Sequence, residues 1–184
     1  MHMTKPNTPA LPWLHRLLRG ACVYVQISPT LLTLRNCTTG QSISEPPEMA
    51  LRRSAQITIH AVGSNAQTAV ANAQAAGLPP GVTLDLVNPF NHPRTIISDF
   101  VIAQQLLKHQ LWALLGKGWF KPAPWMVVHP LGIPEGGYTD VEIRALHEMC
   151  MGAGASQCVV WQGPPLSDAQ VLSRSFPSDG KVLA

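Results

Sequence analysis

A carboxylate at a helix start, seven histidines, four cysteines and a few serines are the side chains able to do chemistry, and their spacing limits what each can do. Glu142 follows Thr139 by three residues. In that pattern the hydroxyl accepts from the third amide of a helix while the carboxylate reaches back to the cap amide. This role is structural and occupies the carboxylate. His2, His15, His60, His92, His109, His129 and His147 show no HxxxH or HExxH spacing, so no single helix offers a zinc pair. Ser64, Ser98 and Ser167 open helical patterns and do not sit in GxSxG elbows, which leaves a Ser-His-Asp hydrolase without an anchor. Gly132, Gly136 and Gly137 fit neither GxxxxGK[ST] nor GxGxxG. Cys22, Cys37, Cys150 and Cys158 lack CxxC spacing and read as buried thiols of a reducing compartment. These residues imply no catalytic, cofactor-binding or metal site, and the expectation is a protein that binds and does not catalyse.

One stretch has positive functional content. Trp13, Leu14, Leu17 and Leu18 share a helical stripe opposite His15, Arg16 and Arg19. A short basic amphipathic helix of this kind suits an anionic membrane surface, to which Trp13, Leu14, Arg16, Leu17, Leu18 and Arg19 would bind. The alternative is that the same stripe docks on the core of its own domain.

The elements around these residues follow from composition and pattern. With 184 residues, 46% hydrophobic and 12% charged, the chain has ample apolar surface for one folded domain. A net charge of +3 is too small an excess for a nucleic-acid binder without a focused patch. No stretch is long and apolar enough to span a membrane, and the start has no signal-peptide pattern, so a cytoplasmic protein is expected. Strands are predicted over Cys22 to Ile27, Leu31 to Arg35, Ile43 to Leu51 (interrupted by Pro46-Pro47), Gln56 to Val62, Leu84 to Val87, Trp125 to His129 and Cys158 to Trp161. Helices are predicted from a Ser64–Gln67 capping box to residue 76, from a Ser98 cap to Gly116, from Thr139 to just before Gly152, and from a Ser167–Gln170 capping box. The order implies an α/β fold: an antiparallel meander, then βαβ units adding parallel strands to one mixed sheet with helices packed on it. The expected divisions are a disordered leader at 1–10, the amphipathic helix at 11–20, the domain at 21–173 and a flexible tail at 174–184.

Specific residues carry a family resemblance. Trp125-Met-Val-Val-His-Pro-Leu-Gly-Ile-Pro-Glu-Gly-Gly-Tyr-Thr-Asp-Val-Glu-Ile-Arg-Ala-Leu, running on through Gly152-Ala-Gly-Ala-Ser-Gln-Cys-Val-Val-Trp, resembles a stretch of the bacterial actin-like rod-shape protein MreB. There a strand ends in a Pro and Gly turn, a Val-Glu-Arg-Arg-Ala-Ile helix follows, and Gly-Ala leads to another strand. Asn88-Pro89-Phe90, Ile96 to Phe100 and Ser44-Glu45-Pro46 are similar to other parts of that family, and the likeness spans about residues 12 to 172. It implies a single actin-like, ribonuclease-H-like subdomain. It also implies attachment to the inner membrane face and partnership with full-length MreB or associated cell-shape proteins.

The departures from the family pattern bear on activity. The family's first hairpin carries Asp-Leu-Gly-Thr-Ala-Asn-Thr, which organises the cation and the ATP phosphates. Laid on without gaps, its Asp falls on Tyr24, its Gly on Gln26 and its Asn on Pro29. Side chains in place of Gly, and Pro in place of an amide donor, suit a phosphate poorly. The second phosphate loop, Asp-Ile-Gly-Gly-Gly-Thr, has no counterpart after Trp161. Glu142 matches the family's water-activating glutamate. The reading drawn from this is a non-catalytic MreB-like accessory protein in cell shape or cytoskeletal organisation. The alternative is a degenerate ATPase with weak ATP binding, completed by a partner chain.

Overall fold

The computed structural model describes residues 20–116, 122–134 and 136–184. Its strands are β1 (Cys22–Ile27), β2 (Leu32–Asn36), β3 (Ser42–Glu45), β4 (Met49–Arg53), β5 (Ile57–Val62), β6 (Thr83–Val87), β7 (Trp125–Pro130), β8 (Gln157–Gln162) and β9 (Lys181–Val182). Its helices are α1 (Ser64–Ala76), α2 (Phe100–Leu115), α3 (Asp140–Ala153) and α4 (Asp168–Ser173). The main sheet has the order β3-β2-β1-β7-β8-β9. Strands β1, β2 and β3 form the antiparallel meander, while β7 pairs parallel with β1 and β8 parallel with β7.

Runs such as Val23-Tyr24-Val25 and Trp125-Met-Val-Val are apolar without alternation because the sheet is covered on both faces. Val23, Val25, Ile27, Met126, Val128 and Val160 join Leu106, Leu107, Leu146 and Met149 of α2 and α3 in one core. Tyr24, Trp125, Val127 and Trp161 point the other way, toward Leu166 and Val171 of α4. Gly152, expected to stop α3, lies inside it. A Cβ there would come within 2.3 Å of the Gln104 side chain, so the glycine permits close approach of α2. The helix stops at Ala153, and Gly154 caps it with φ 118°.

Several expectations are corrected. The single strand expected near Ile43 to Leu51 is two strands in two sheets: Pro46 and Pro47 remove successive ladder donors, and β4 leaves to form a second sheet of order β5-β4-β6. Strand β6 is therefore antiparallel to β4 and is not a parallel member of the main sheet. Ser64 does not cap α1. The cap residue is Gly63, and the Ser64 amide donates to Glu45 Oε2 at 2.9 Å. Gly63 is needed there, since it has φ 67° and a Cβ would meet Glu45 at 2.9 Å. Asp99, and not Ser98, caps α2 by accepting from the Ile102 amide, while the Ser98 hydroxyl donates to the Pro89 carbonyl. Phe100, the first residue of α2, is 40% exposed. The capping boxes at Thr139 and Ser167 are present as expected.

The segment 174–184, expected as a flexible tail, contributes β9, which pairs antiparallel with Trp161 and Gln162. The Val160 amide also donates to the Ala184 carbonyl, and Phe176 stacks on Trp161. The tail's polarity hid these anchors. Gly180 passes directly over the indole, where a Cβ would meet the Trp161 ring at 2.2 Å. Gly180→Ala should therefore cost about 1–3 kcal/mol by overpacking, read as a lower urea midpoint. Wild-type stability in that variant would mean that the segment does not rest on the sheet.

Candidate functional site

A cleft of about 490 Å³ lies at the C-terminal ends of β1 and β7. Three segments build it: the β1–β2 turn at Ser28 and Pro29, the stretch from Phe90 to Ile96, and the loop after β7 with Leu131, Gly132, Ile133 and Tyr138. Parallel pairing of β1 with β7 brings the first and third side by side, since Ile27 stands opposite Pro130. This is where open α/β sheets place ligands.

The turn that would face a phosphate is closed on itself. The Ser28 amide donates to the Leu31 carbonyl at 2.9 Å, the Leu31 amide donates to Ser28 Oγ at 2.9 Å, and Pro29 has no amide hydrogen. The Pro29 carbonyl in turn accepts from Asn88 Nδ2 at 2.9 Å. An anion nest needs converging free N–H groups; Ser28, Pro29 and Leu31 supply none, which leaves the turn at most the single amide of Thr30.

Glu142 lies beside this cleft, at the N-terminus of α3. Its Oε2 accepts from the Thr139 amide at 3.0 Å and the Thr139 hydroxyl at 2.9 Å, and its Oε1 accepts from the Ile96 amide at 3.3 Å. Partial burial pushes its carboxyl pKa up, but the hydrogen bonds from Thr139 and Ile96 outweigh this and hold it below the ordinary value. The carboxylate thus caps α3 and ties it to a wall of the cleft.

Tyr24 occupies the position that the resemblance gives to the cation-organising aspartate, and it is buried. The Leu166 amide donates to its hydroxyl oxygen at 3.2 Å, and the hydroxyl lies 2.5 Å from His129 Nδ1. With the oxygen accepting from Leu166, the phenol proton goes to Nδ1, and the imidazole donates its other N–H to the Gly163 carbonyl. Burial holds His129 below its ordinary pKa, favouring this neutral form, and the Gly163 contact opposes the shift. Burial also raises the Tyr24 pKa. Arg35 completes the cluster: its guanidinium sits 5.6 Å from the Tyr24 ring centroid, pairs with Asp168 at 2.8 Å and donates to the Leu166 carbonyl at 3.0 Å. Nearby, burial and then Asp168 push the Cys37 thiol up to about 12, which keeps it protonated and inert.

The Tyr24–His129 pair was not foreseen from sequence. Its signal was the even spacing of Trp125, Val127 and His129, which puts all three on the sheet face that carries Tyr24. The lining residues His92 and Arg94 had no sequence signal. The predicted membrane-binding residues Trp13, Leu14, Arg16, Leu17, Leu18 and Arg19 lie outside the described residues.

A meander continued by parallel strands, covered by helices on both faces, with a cleft at the strand ends, defines an actin-like subdomain. The crystal structure of MreB 5 of Spiroplasma citri bound to AMPPNP is similar to it, with TM-score 0.54 and 19% identity. The structure of MreB5 of the same organism bound to ADP is similar too, with TM-score 0.56 and 19% identity. Each likeness takes in 78% of this chain but 38% of the other, so this chain matches well under half of those proteins. The MreB/Mbl family model matches residues 31–167, and the chain belongs to that family. No curated protein matches it.

Tyr24→Phe leaves the Leu166 amide and His129 Nδ1 without partners and should cost about 1–3 kcal/mol in urea denaturation. Because the folded His129 pKa lies below 6.5, the unfolded chain takes up its proton first as pH falls. The contribution of His129 to stability is full above about pH 6.5 and is lost as pH falls through the folded pKa. His129→Gln should flatten that slope, and an unchanged slope would show that another group is responsible.

Proposed function

We propose that this chain is a non-catalytic, MreB-like accessory protein in bacterial cell shape or cytoskeletal organisation, acting by binding protein partners and the membrane surface. The observation that carries this reading is the β1–β2 turn: where the family resemblance places a phosphate loop, Ser28 and Leu31 bond each other and Pro29 offers no donor. The engaged carboxylate of Glu142 supports it, because a general base for phosphoryl transfer needs a positioned water and a polarised phosphate. The protein would thus be a pseudo-ATPase in its cleft.

Its partners would be full-length MreB or associated cell-shape proteins, met in the cytoplasm at the inner face of the plasma membrane. Trp13, Leu14, Leu17 and Leu18 would contribute up to about 1.5–3 kcal/mol each if fully buried in lipid, and Arg16 and Arg19 about 1 kcal/mol each near anionic headgroups. Ordering the segment costs on the order of 1 kcal/mol per residue, so a single copy binds weakly. Among the described residues no helix is long and apolar enough to cross a membrane, which fits surface attachment.

Thermal melting with millimolar ATP and magnesium tests the cleft. A ligand that binds only the native state must raise the melting temperature, and no rise is expected. A rise abolished by Glu142→Ala would favour the degenerate ATPase instead. Co-sedimentation with anionic liposomes tests the membrane role: the intact chain should pellet and a chain lacking residues 1–19 should not, whereas equal behaviour of the two would refute it.

A further inference from the structure

The end of the main sheet opposite the cleft carries a second groove, of about 680 Å³, and the first described residue of the chain stands in its wall. Gly20 lines it together with Cys22, Ala123, Trp125 and Leu172. It lies where β1 and β7 begin, since Cys22 stands opposite Trp125 in the parallel pair. The Trp125 amide donates to the Ala21 carbonyl at 2.9 Å, and a Cβ on Gly20 would come within 2.2 Å of the Ala123 oxygen. The chain is thus pinned against Ala123, and whatever precedes Gly20 is joined to the domain at the groove itself.

The polar side chains of this groove are engaged within the fold. Thr38 Oγ1 accepts from the Cys22 amide at 3.4 Å, the Ser156 hydroxyl donates to the Pro124 carbonyl at 3.0 Å, and the Ser173 hydroxyl donates to the Ala169 carbonyl at 2.7 Å. Arg174, the one charge lining it among the described residues, holds its guanidinium 4.7 Å from the Trp125 ring centroid. Leu172, in the last turn of α4, is 46% exposed. Such a groove suits an apolar occupant that brings no further cation against Arg174. Nineteen residues precede Gly20, none of them Asp or Glu, and they carry the stripe of Trp13, Leu14, Leu17 and Leu18 with Arg16 and Arg19 on its opposite side. Leu18 is two residues from Gly20, and Trp13 would be about 10 Å away at the rise of a helix.

We propose that the groove at the starts of β1 and β7 is the docking site of this chain's own N-terminal stripe, Trp13, Leu14, Leu17 and Leu18, when no lipid is present. The short tether makes the docking intramolecular, at an effective concentration of about millimolar or above. With the stripe laid against Leu172 and Ala123, Arg16 and Arg19 turn to solvent and away from Arg174. A consequence rests on the membrane reading above: groove and lipid compete for the same four side chains, so docking holds the segment back until an anionic surface draws its basic side.

Amide hydrogen exchange of the full chain without lipid tests the docking. Amides from Trp13 to Leu18 should exchange about tenfold or more slowly than in a free peptide of residues 1–19. Leu172→Gln, which leaves the net charge unchanged, should remove most of that protection with little change in melting temperature, while Val141→Gln, on a 77% exposed position at the start of α3, should leave it intact. If Leu172→Gln fails to fold, Ala123→Gln replaces it. Free-peptide exchange at Trp13 to Leu18, or protection that survives the groove variant, would overturn the proposal. With anionic liposomes Leu172→Gln should pellet at a lower lipid concentration than the wild type, and an equal requirement would overturn the competition. If neither chain pellets while the exchange still responds to Leu172→Gln, the membrane reading fails and the docking stands.

Discussion

The hydrogen bond between Tyr24 and His129 is the constraint on which the rest of this site depends. It links β1 to β7 on the face away from α2 and α3, and the Leu166 and Gly163 backbone bonds extend it into the loop that starts α4. Buried polar groups of this kind stabilise a fold only when every member is satisfied, and here the phenol and both ring nitrogens have partners. In the turn that follows β1, Ser28 and Leu31 bond each other.

Glu142 is held by hydrogen bonds from two segments. Its carboxylate joins the Thr139 cap to the Ile96 amide, so it holds α3 against the segment from Phe90 to Ile96. The cleft that results is walled by Ile27, Leu131 and Ile133 and by His92 and Arg94.

Local signals made most elements legible in the sequence. Apolar runs marked β1, β7 and β8, and the Thr-x-x-Glu and Ser-x-x-Gln boxes marked α3 and α4, because in each case the deciding contacts lie within a few residues. What failed depended on distant partners. Glu45 displaced Ser64 as the helix α1 cap from 19 residues away, Trp161 organised a polar tail, and the paired prolines at 46 and 47 split one sheet into two. In the site, the missing amide donor of the first turn could be read from Pro29 alone. The Tyr24–His129 pair could not be read, since it arises from the β1–β7 register across about a hundred residues.

The central claim is that the cleft at the ends of β1 and β7 has no working phosphate site. Amide chemical-shift mapping with a non-hydrolysable ATP analogue and magnesium addresses it directly. The account predicts no saturable change at Ser28, Leu31, Gly132 or Tyr138 up to millimolar analogue. Saturable shifts at Ser28 and Leu31, which would require their mutual hydrogen bonds to open, would contradict it.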